Sequence, residues 1–155
     1  MGESTKHITK NRKAYHNYFV DDDFEAGMRL VGSEVKSLRE GSVHLKDSYA
    51  RFRNNELYLV NAHISPYDHA TQKNHDPERP RKLLLHRHEL NKLRTKVEQD
   101  GYTLIPLSLY FKGSHVKCQL GLCRGKKQHD KRRDLKKRQH AREIAREKSA
   151  RNWQK

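Results

Sequence analysis

Apolar residues recur mostly at every second position, in short runs broken by turn residues, which predicts strands joined by tight connections. Tyr15–Val20 is an aromatic-rich segment that reads as the first strand, with Asp21-Asp22-Asp23 as the turn after it. From Phe24 to Val31 the alternation places Phe24, Ala26, Met28 and Leu30 on one side and Glu25, Gly27 and Arg29 on the other. A glycine inside a strand, here Gly27, marks a bulge or a close backbone approach. Ser48–Arg53 and Glu56–Ile64 form a hairpin across Asn54-Asn55, a pair that tolerates left-handed turn geometry. In the second of these strands Leu57, Leu59 and Asn61 share one face, and Tyr58, Val60 and Ala62 the other. Thr103–Phe111 and His115–Leu122 form a last hairpin that turns at Lys112-Gly113-Ser114. Ile105, Leu107, Leu109 and Phe111 alternate cleanly, as do Val116, Cys118, Leu120 and Leu122.

Two segments read as helices. The first runs from Gly32 to Gly41, with Ser33 as N-cap, Gly41 just past the end, and Val35 and Leu38 on the buried face. The second covers Arg81–Gly101. Leu90, Leu93 and Val97 give its i, i+3, i+7 stripe, and Gly101 ends it. His86 and Glu89 have the spacing of a capping box. Ser65–Pro80, with three prolines, is a long loop, either functional or mobile. Residues Met1–Arg12 look like a short basic lead-in. Six short strands and two helices without a βαβ rhythm predict an antiparallel barrel, which closes its own edges. The expected fold is therefore mainly β: a six-stranded antiparallel barrel of the oligonucleotide-binding kind with flanking helices. It occupies residues 14–124, between a basic N-terminal lead-in at 1–13 and a basic C-terminal tail at 125–155.

Charge changes the picture most at the C-terminus. From Arg124 onward there are 14 Lys/Arg against 4 Asp/Glu, so this fifth of the chain carries +10 of the total +15. It has no apolar stripe. Leu135 and Ile144 are nine residues apart, on opposite sides of a helix, and Trp153 is nine further on. Such a segment is expected to be disordered when free and to order against a polyanion, nucleic acid above all. A merely solvated, solubilising tail is the alternative reading.

The remaining chemistry mostly excludes. No apolar run approaches the roughly 20 residues of a membrane span. The N-terminus lacks the charged and apolar regions of a signal peptide, so a cytoplasmic protein is expected. Cys118 and Cys123 lie five residues apart on one strand and face opposite sides, so they cannot pair with each other. His115-x2-Cys118-x4-Cys123 is not a zinc-finger spacing, and the same parity points the two sulfurs apart. Neither a metal nor another cofactor is expected. His129-Asp130 looks like a base and its orienter, yet a solvated segment offers no burial to tune it and no nucleophile beside it. Aromatic rings among basic residues, such as Tyr15, Tyr18, Tyr49, Tyr58, Tyr67 and Tyr110, could stack on bases, whereas Phe24, Phe52 and Phe111 read as core. Lys36, Arg39, Lys117 and Arg124 flank the strands as candidates for phosphate contact.

Several stretches together resemble one family. They are Asn11-Arg12-Lys13-Ala14, Glu25-Ala26-Gly27, Gly32-Ser33-Glu34-Val35-Lys36-Ser37-Leu38-Arg39, Asp47-Ser48-Tyr49, Arg81-Lys82-Leu83-Leu84-Leu85 and Gly125-Lys126-Lys127-Gln128-His129-Asp130-Lys131-Arg132. In their order and spacing they are similar to the SsrA-binding protein family, small protein B (SmpB), of bacteria. The resemblance implies a non-enzymatic adaptor that binds the tRNA-like domain of transfer-messenger RNA (tmRNA). It also implies delivery of that RNA to stalled ribosomes for trans-translation. Glu25, Leu84, His86, Lys117, Arg124, Lys126 and Lys127 match family positions for RNA binding by the body. His129 matches a position at the decoding bases, and Asp130, Lys131 and Arg132 match the tail motif used in accommodation. Lys136, Lys137 and Arg138 continue that tail, which the family places, helical, in the decoding centre and empty mRNA channel. At position 86 the family often has Asn, so His86 departs from the pattern. Implied partners are tmRNA, the ribosome, and elongation factor Tu and alanyl-tRNA synthetase through the charged RNA, with no DNA or membrane. A ribosomal protein with an RNA-threading tail, and a nuclease or metal hydrolase, are the competing readings. The second lacks any clustered Asp/Glu/His site.

Overall fold

Both hairpins form where their turn residues demand. Strands β4 (Tyr49–Arg53) and β5 (Glu56–Val60) meet at Asn54 and Asn55, which hold φ of 50° and 66°. Strands β8 (Thr103–Lys112) and β9 (His115–Gly125) turn at Gly113, with φ of 61°. The computed structural model describes residues 4–69 and 73–153, and the side chains of all of these except 128, 129 and 150–153. The remaining described elements are β1 (Thr5–Lys10), α1 (Arg12–Asn17), β2 (Tyr18–Met28), α2 (Gly32–Arg39), β3 (Val43–His44), β6 (His63–Ile64), β7 (Arg81–Leu84), α3 (Arg87–Asp100) and α4 (Gln128–Trp153). The chain divides after Arg124 into two units.

In the first unit the pairings run β8-β4-β5-β7-β2-β9, and β9 pairs back onto β8. The sheet thus closes as a six-stranded antiparallel circuit, and β1 lies on β8 as a seventh strand. Closure removes the exposed edges that an open sheet of this size would carry. Leu57, Leu59, Leu83, Leu104, Leu109, Cys118 and Leu120 fill the interior with Leu93 of α3 and Leu38 of α2. A smaller cluster of Ala14, Ile105, Leu107 and Cys123 lies under α1. The two cysteines therefore sit in different clusters, on opposite faces of β9, and both are free thiols. The pairing of β8 with β9 shifts register between Pro106 and Ser108. Buried Asn11 answers that bulge: its amide donates to Pro106 O at 2.9 Å and its N–H to Leu107 O at 2.8 Å.

Several local expectations are corrected. The basic lead-in supplies β1, a largely polar strand paired to β8 through its backbone, with Ile8 alone packed against the core. Tyr15 lies in α1, not in a first strand, and Asp21-Asp22-Asp23 lies inside β2, not in a turn. Neighbouring strands and helices supply donors to these carboxylates: Arg124 and Tyr102 to Asp21, Gln119 to Asp23, and Lys92 in ion contact with Asp22. The N-cap of α2 is Val31, whose N–H donates to the Glu34 carboxylate at 2.9 Å, while the Ser33 hydroxyl goes to His75 Nδ1 at 2.8 Å. Arg81–Leu84 is strand β7, between β5 and β2, so the helix expected from residue 81 begins only at Arg87. His86 does cap it, with the Glu89 carboxylate accepting its N–H at 3.2 Å, and left-handed Gly101 ends it.

The reason Arg81 can start a buried strand is Glu34. Both side chains are fully buried, with Arg81 Nε 2.6 Å from Glu34 Oε2. Arg79 Nη2 reaches Glu34 Oε1 at 2.5 Å. Arg81 also donates to the carbonyls of Ala62, Asp76 and Pro77 at 2.7, 3.2 and 3.0 Å. With Ser37 donating to Ser65 O at 2.7 Å, these bonds fix the long loop after β6 to α2.

Candidate nucleic-acid interface

The outer wall of the barrel brings Glu25 of β2, Leu84 of β7 and Lys117 of β9 together. Gly27 pairs with Leu84, and a Cβ at Gly27 would stand 3.3 Å from Leu84 Cβ and 3.7 Å from Lys117 Nζ. The glycine read from sequence as a close approach lies beside both an exposed leucine and a lysine, and a side chain there would crowd Leu84. Leu84 is 49% exposed on a wall whose neighbours are charged, an unusual place for a large apolar side chain.

Glu25 is not an open acceptor. Tyr110 O–H donates to it at 2.5 Å and Lys112 Nζ lies 3.1 Å away. The Tyr110 hydrogen bond, with Lys112 and Lys117 nearby, holds its carboxyl below the ordinary value. Burial and the bond to Glu25 push the Tyr110 phenol well up. A carboxylate held this way orients its basic neighbours and offers its remaining lone pairs to base or sugar donors.

Arg124 is likewise engaged. It donates to Asp21 through Nε at 2.9 Å and Nη2 at 3.2 Å, and its guanidinium lies 5.6 Å over the Phe19 ring. The pair lowers the Asp21 carboxyl, with Tyr102 helping, and raises Arg124. Lys36 lies 5.5 Å over the Tyr67 ring, while Arg39 is exposed at the end of α2. His86 is exposed and stacks on His88 at 5.6 Å, nearly parallel. Lys36 and Arg39 thus lie on α2, not on the strands that carry Leu84 and Lys117.

In the second unit, the tail forms one helix, α4, rich in good helix formers. Lys127 N–H donates to the Asp130 carboxylate at 3.3 Å, closing the first turn where a negative charge favours the helix. Lys126 pairs with Asp134 and lowers its carboxyl. Arg132, Lys136, Lys137 and Arg138 are exposed and Lys131 is half-buried, with Leu135 and Ile144 also open at 50% and 40%. The side chain of His129 lies outside the described residues. Among the described residues, no three His, Cys, Asp or Glu gather as a metal site would require, and no helix is long and apolar enough to cross a membrane.

The SmpB protein family matches residues 8–150 of the chain. An SsrA-binding protein of Geotalea uraniireducens (strain Rf4) is 54% identical over 142 residues, which is 92% of this chain and 94% of the relative. One from Caldanaerobacter subterraneus subsp. tengcongensis is 55% identical over 142 residues, 92% of this chain and 90% of the relative. A solved chain described under "tmRNA-SmpB: a journey to the center of the bacterial ribosome" superposes with a TM-score of 0.66 at 48% identity. It covers 83% of this chain and 94% of its own.

Proposed function

The chain belongs to the SmpB protein family, and from that premise we propose that it is an RNA-binding adaptor of trans-translation in the bacterial cytoplasm. Its barrel binds the tRNA-like domain of tmRNA and carries that RNA to ribosomes stalled without a stop codon. The observation that carries this reading is the convergence of Glu25, Leu84 and Lys117 from three strands around Gly27. An apolar side chain, a cation and an oriented carboxylate on a rigid wall suit recognition of an RNA fold by sugar, base and phosphate contacts. His86, at the head of α3, and Arg124 extend that contact surface, and Lys36 and Arg39 offer further phosphate contacts.

The tail does a separate job. Lys126 and Lys127, ahead of it, add to the RNA contacts of the body, and the cations that follow engage ribosomal RNA. His129 lies at the decoding bases, Asp130, Lys131 and Arg132 act in accommodation, and Lys136, Lys137 and Arg138 follow the empty mRNA channel. Free of the ribosome this segment frays, because nothing along α4 is apolar enough to bury. Elongation factor Tu and alanyl-tRNA synthetase meet the protein through the charged RNA. The protein does no bond chemistry of its own. In titrations with a tRNA-like-domain transcript, Leu84→Ala should weaken binding. Lys117→Ala should weaken it and reduce the salt slope by about 0.7–0.9 unit for one lost phosphate contact. Unchanged binding in both would refute the assignment.

A further inference from the structure

Most half-buried Phe and Tyr rings of this protein are already occupied. Lys10, Lys36, Lys92, Arg94, Lys96 and Arg124 lie over Tyr15, Tyr67, Phe24, Phe52, Tyr102 and Phe19. Tyr110 is bonded to Glu25, and Tyr18 and Tyr49 pack under α1. Tyr58 differs. Among the described residues it is the one Phe or Tyr outside both apolar clusters whose side chain has no hydrogen bond, ring contact or cation on its face.

Its surroundings are as unusual. In the sheet register Tyr58 stands opposite Arg51 on one side and Lys82 on the other. Arg29 continues the row, its N–H donating to Lys82 O at 3.0 Å. Inward-facing Leu57, Leu59, Arg81 and Leu83 flank Tyr58 and Lys82 in sequence and are fully buried, so strand alternation sends Tyr58 and Lys82 outward. Arg29 and Arg51 are exposed and have no carboxylate partner among the described residues. Lys82 alone in the row has one, Glu56 at 3.4 Å. Three cations set in one row with a single acidic neighbour repel each other, and a polyanion relieves that repulsion. On β7 the row lies two residues from Leu84, on the same face.

We propose that Arg51, Tyr58, Lys82 and Arg29 form an RNA-binding tract that crosses β4, β5 and β7 to the residue just past β2 and extends the Leu84 site. Tyr58 stacks on an unpaired base or a ribose, and the cations on either side hold the flanking phosphates. Neighbouring strands lie about 4.8 Å apart, so the row spans about 14 Å, enough for one nucleotide and the phosphate on each side of it. The tract rests on the function proposed above, because its ligand is a segment of the same RNA.

The test uses the full-length protein and a transcript of the tmRNA tRNA-like domain, titrated at several salt concentrations. Tyr58→Leu should weaken binding by about 5- to 150-fold, the range for losing one stacked base. Tyr58→Phe, which keeps the ring, should bind within about two-fold of wild type. Arg51→Ala and Arg29→Ala should each reduce the salt slope by about 0.7–0.9 unit. Circular dichroism checks that each variant is folded; if Tyr58→Leu is not, the two arginine variants decide. A Tyr58→Leu protein that binds like wild type, with unchanged slopes in the arginine variants, overturns the tract. Equal losses in Tyr58→Phe and Tyr58→Leu overturn the stacking role. If wild type binds and only Leu84→Ala fails, the tract falls and the proposed function stands. If wild type itself fails to bind the transcript, both fall.

Discussion

Replacing Glu34 by Gln tests whether the barrel depends on the buried Glu34–Arg81 ion pair. The substitution keeps the shape and removes the charge that answers Arg81, which is fully buried 2.6 Å away. Breaking a buried pair from one side leaves the other charge uncompensated and costs about 3–5 kcal/mol. At a urea slope of about 1.5 kcal/mol/M, that lowers the unfolding midpoint by about 2–3 M. Arg81→Met should cost a similar amount, because it also orphans the carbonyls of Ala62, Asp76 and Pro77. The double variant should lose clearly less than the sum, with a coupling of about 2 kcal/mol in the cycle. Acid titration adds an independent sign. Burial alone would raise the Glu34 carboxyl, but the bonds from Arg79, Val31 and Arg81 outweigh it and hold the group below its ordinary value. A depressed carboxylate contributes stability that is fully present above its unfolded pKa, near about 4.3, and is lost as pH falls through the folded value. Wild type should therefore lose stability below about pH 4 faster than Glu34→Gln does. Urea midpoints that differ by less than about 0.5 M, or parallel acid limbs, would refute the reasoning.

Three further outcomes follow from the same fold. Burial pushes the Cys118 thiol up to about 12, and burial with Asp21 nearby pushes Cys123 up to about 11. Neither should react with iodoacetamide at pH 8 until denaturant is added, and rapid labelling of the native protein would contradict the packing of β9. Truncation after Lys127 should leave binding of the tRNA-like-domain transcript intact while abolishing peptide tagging on stalled ribosomes. Changing Asp130, Lys131 and Arg132 together to Ala should give the same split, although it alters net charge by only −1; tagging by that triple variant would reduce the tail to bulk electrostatics.

Where local chemistry decides the conformation, the sequence was readable. Asn54-Asn55, Gly113 and Gly101 each mark a backbone turn or stop that only a few residue types adopt without strain. The alternation of Leu57 and Leu59, and the opposed placement of Cys118 and Cys123, followed from strand parity alone. Elements decided by distant partners were not readable. Thr5–Lys10 carries no apolar periodicity and is a strand because β8 offers it backbone to pair with and the core takes its single Ile8. Three consecutive aspartates look like a turn until Arg124, Tyr102, Gln119 and Lys92 arrive from elsewhere in the chain. Arg81 reads as the start of a helix because its partner, Glu34, is 47 residues away.

The candidate site divides along the same line. Leu84, Lys117 and Glu25 could be named from a family resemblance, but their meeting at Gly27 needed the register of β2 with β7. Tyr58 gave a weak signal as one tyrosine among several with basic neighbours. Its distinction is that every comparable ring has found a partner within the fold, which only the packed structure reveals.

The most direct test of the central claim is to purify the full-length protein from bacterial cells at moderate salt and sequence the RNA that comes with it. The account requires a single dominant tmRNA, strongly reduced when Leu84 is changed to Ala. A broad mixture of cellular RNAs, or ribosomal RNA alone, with the same profile in Leu84→Ala, would contradict it.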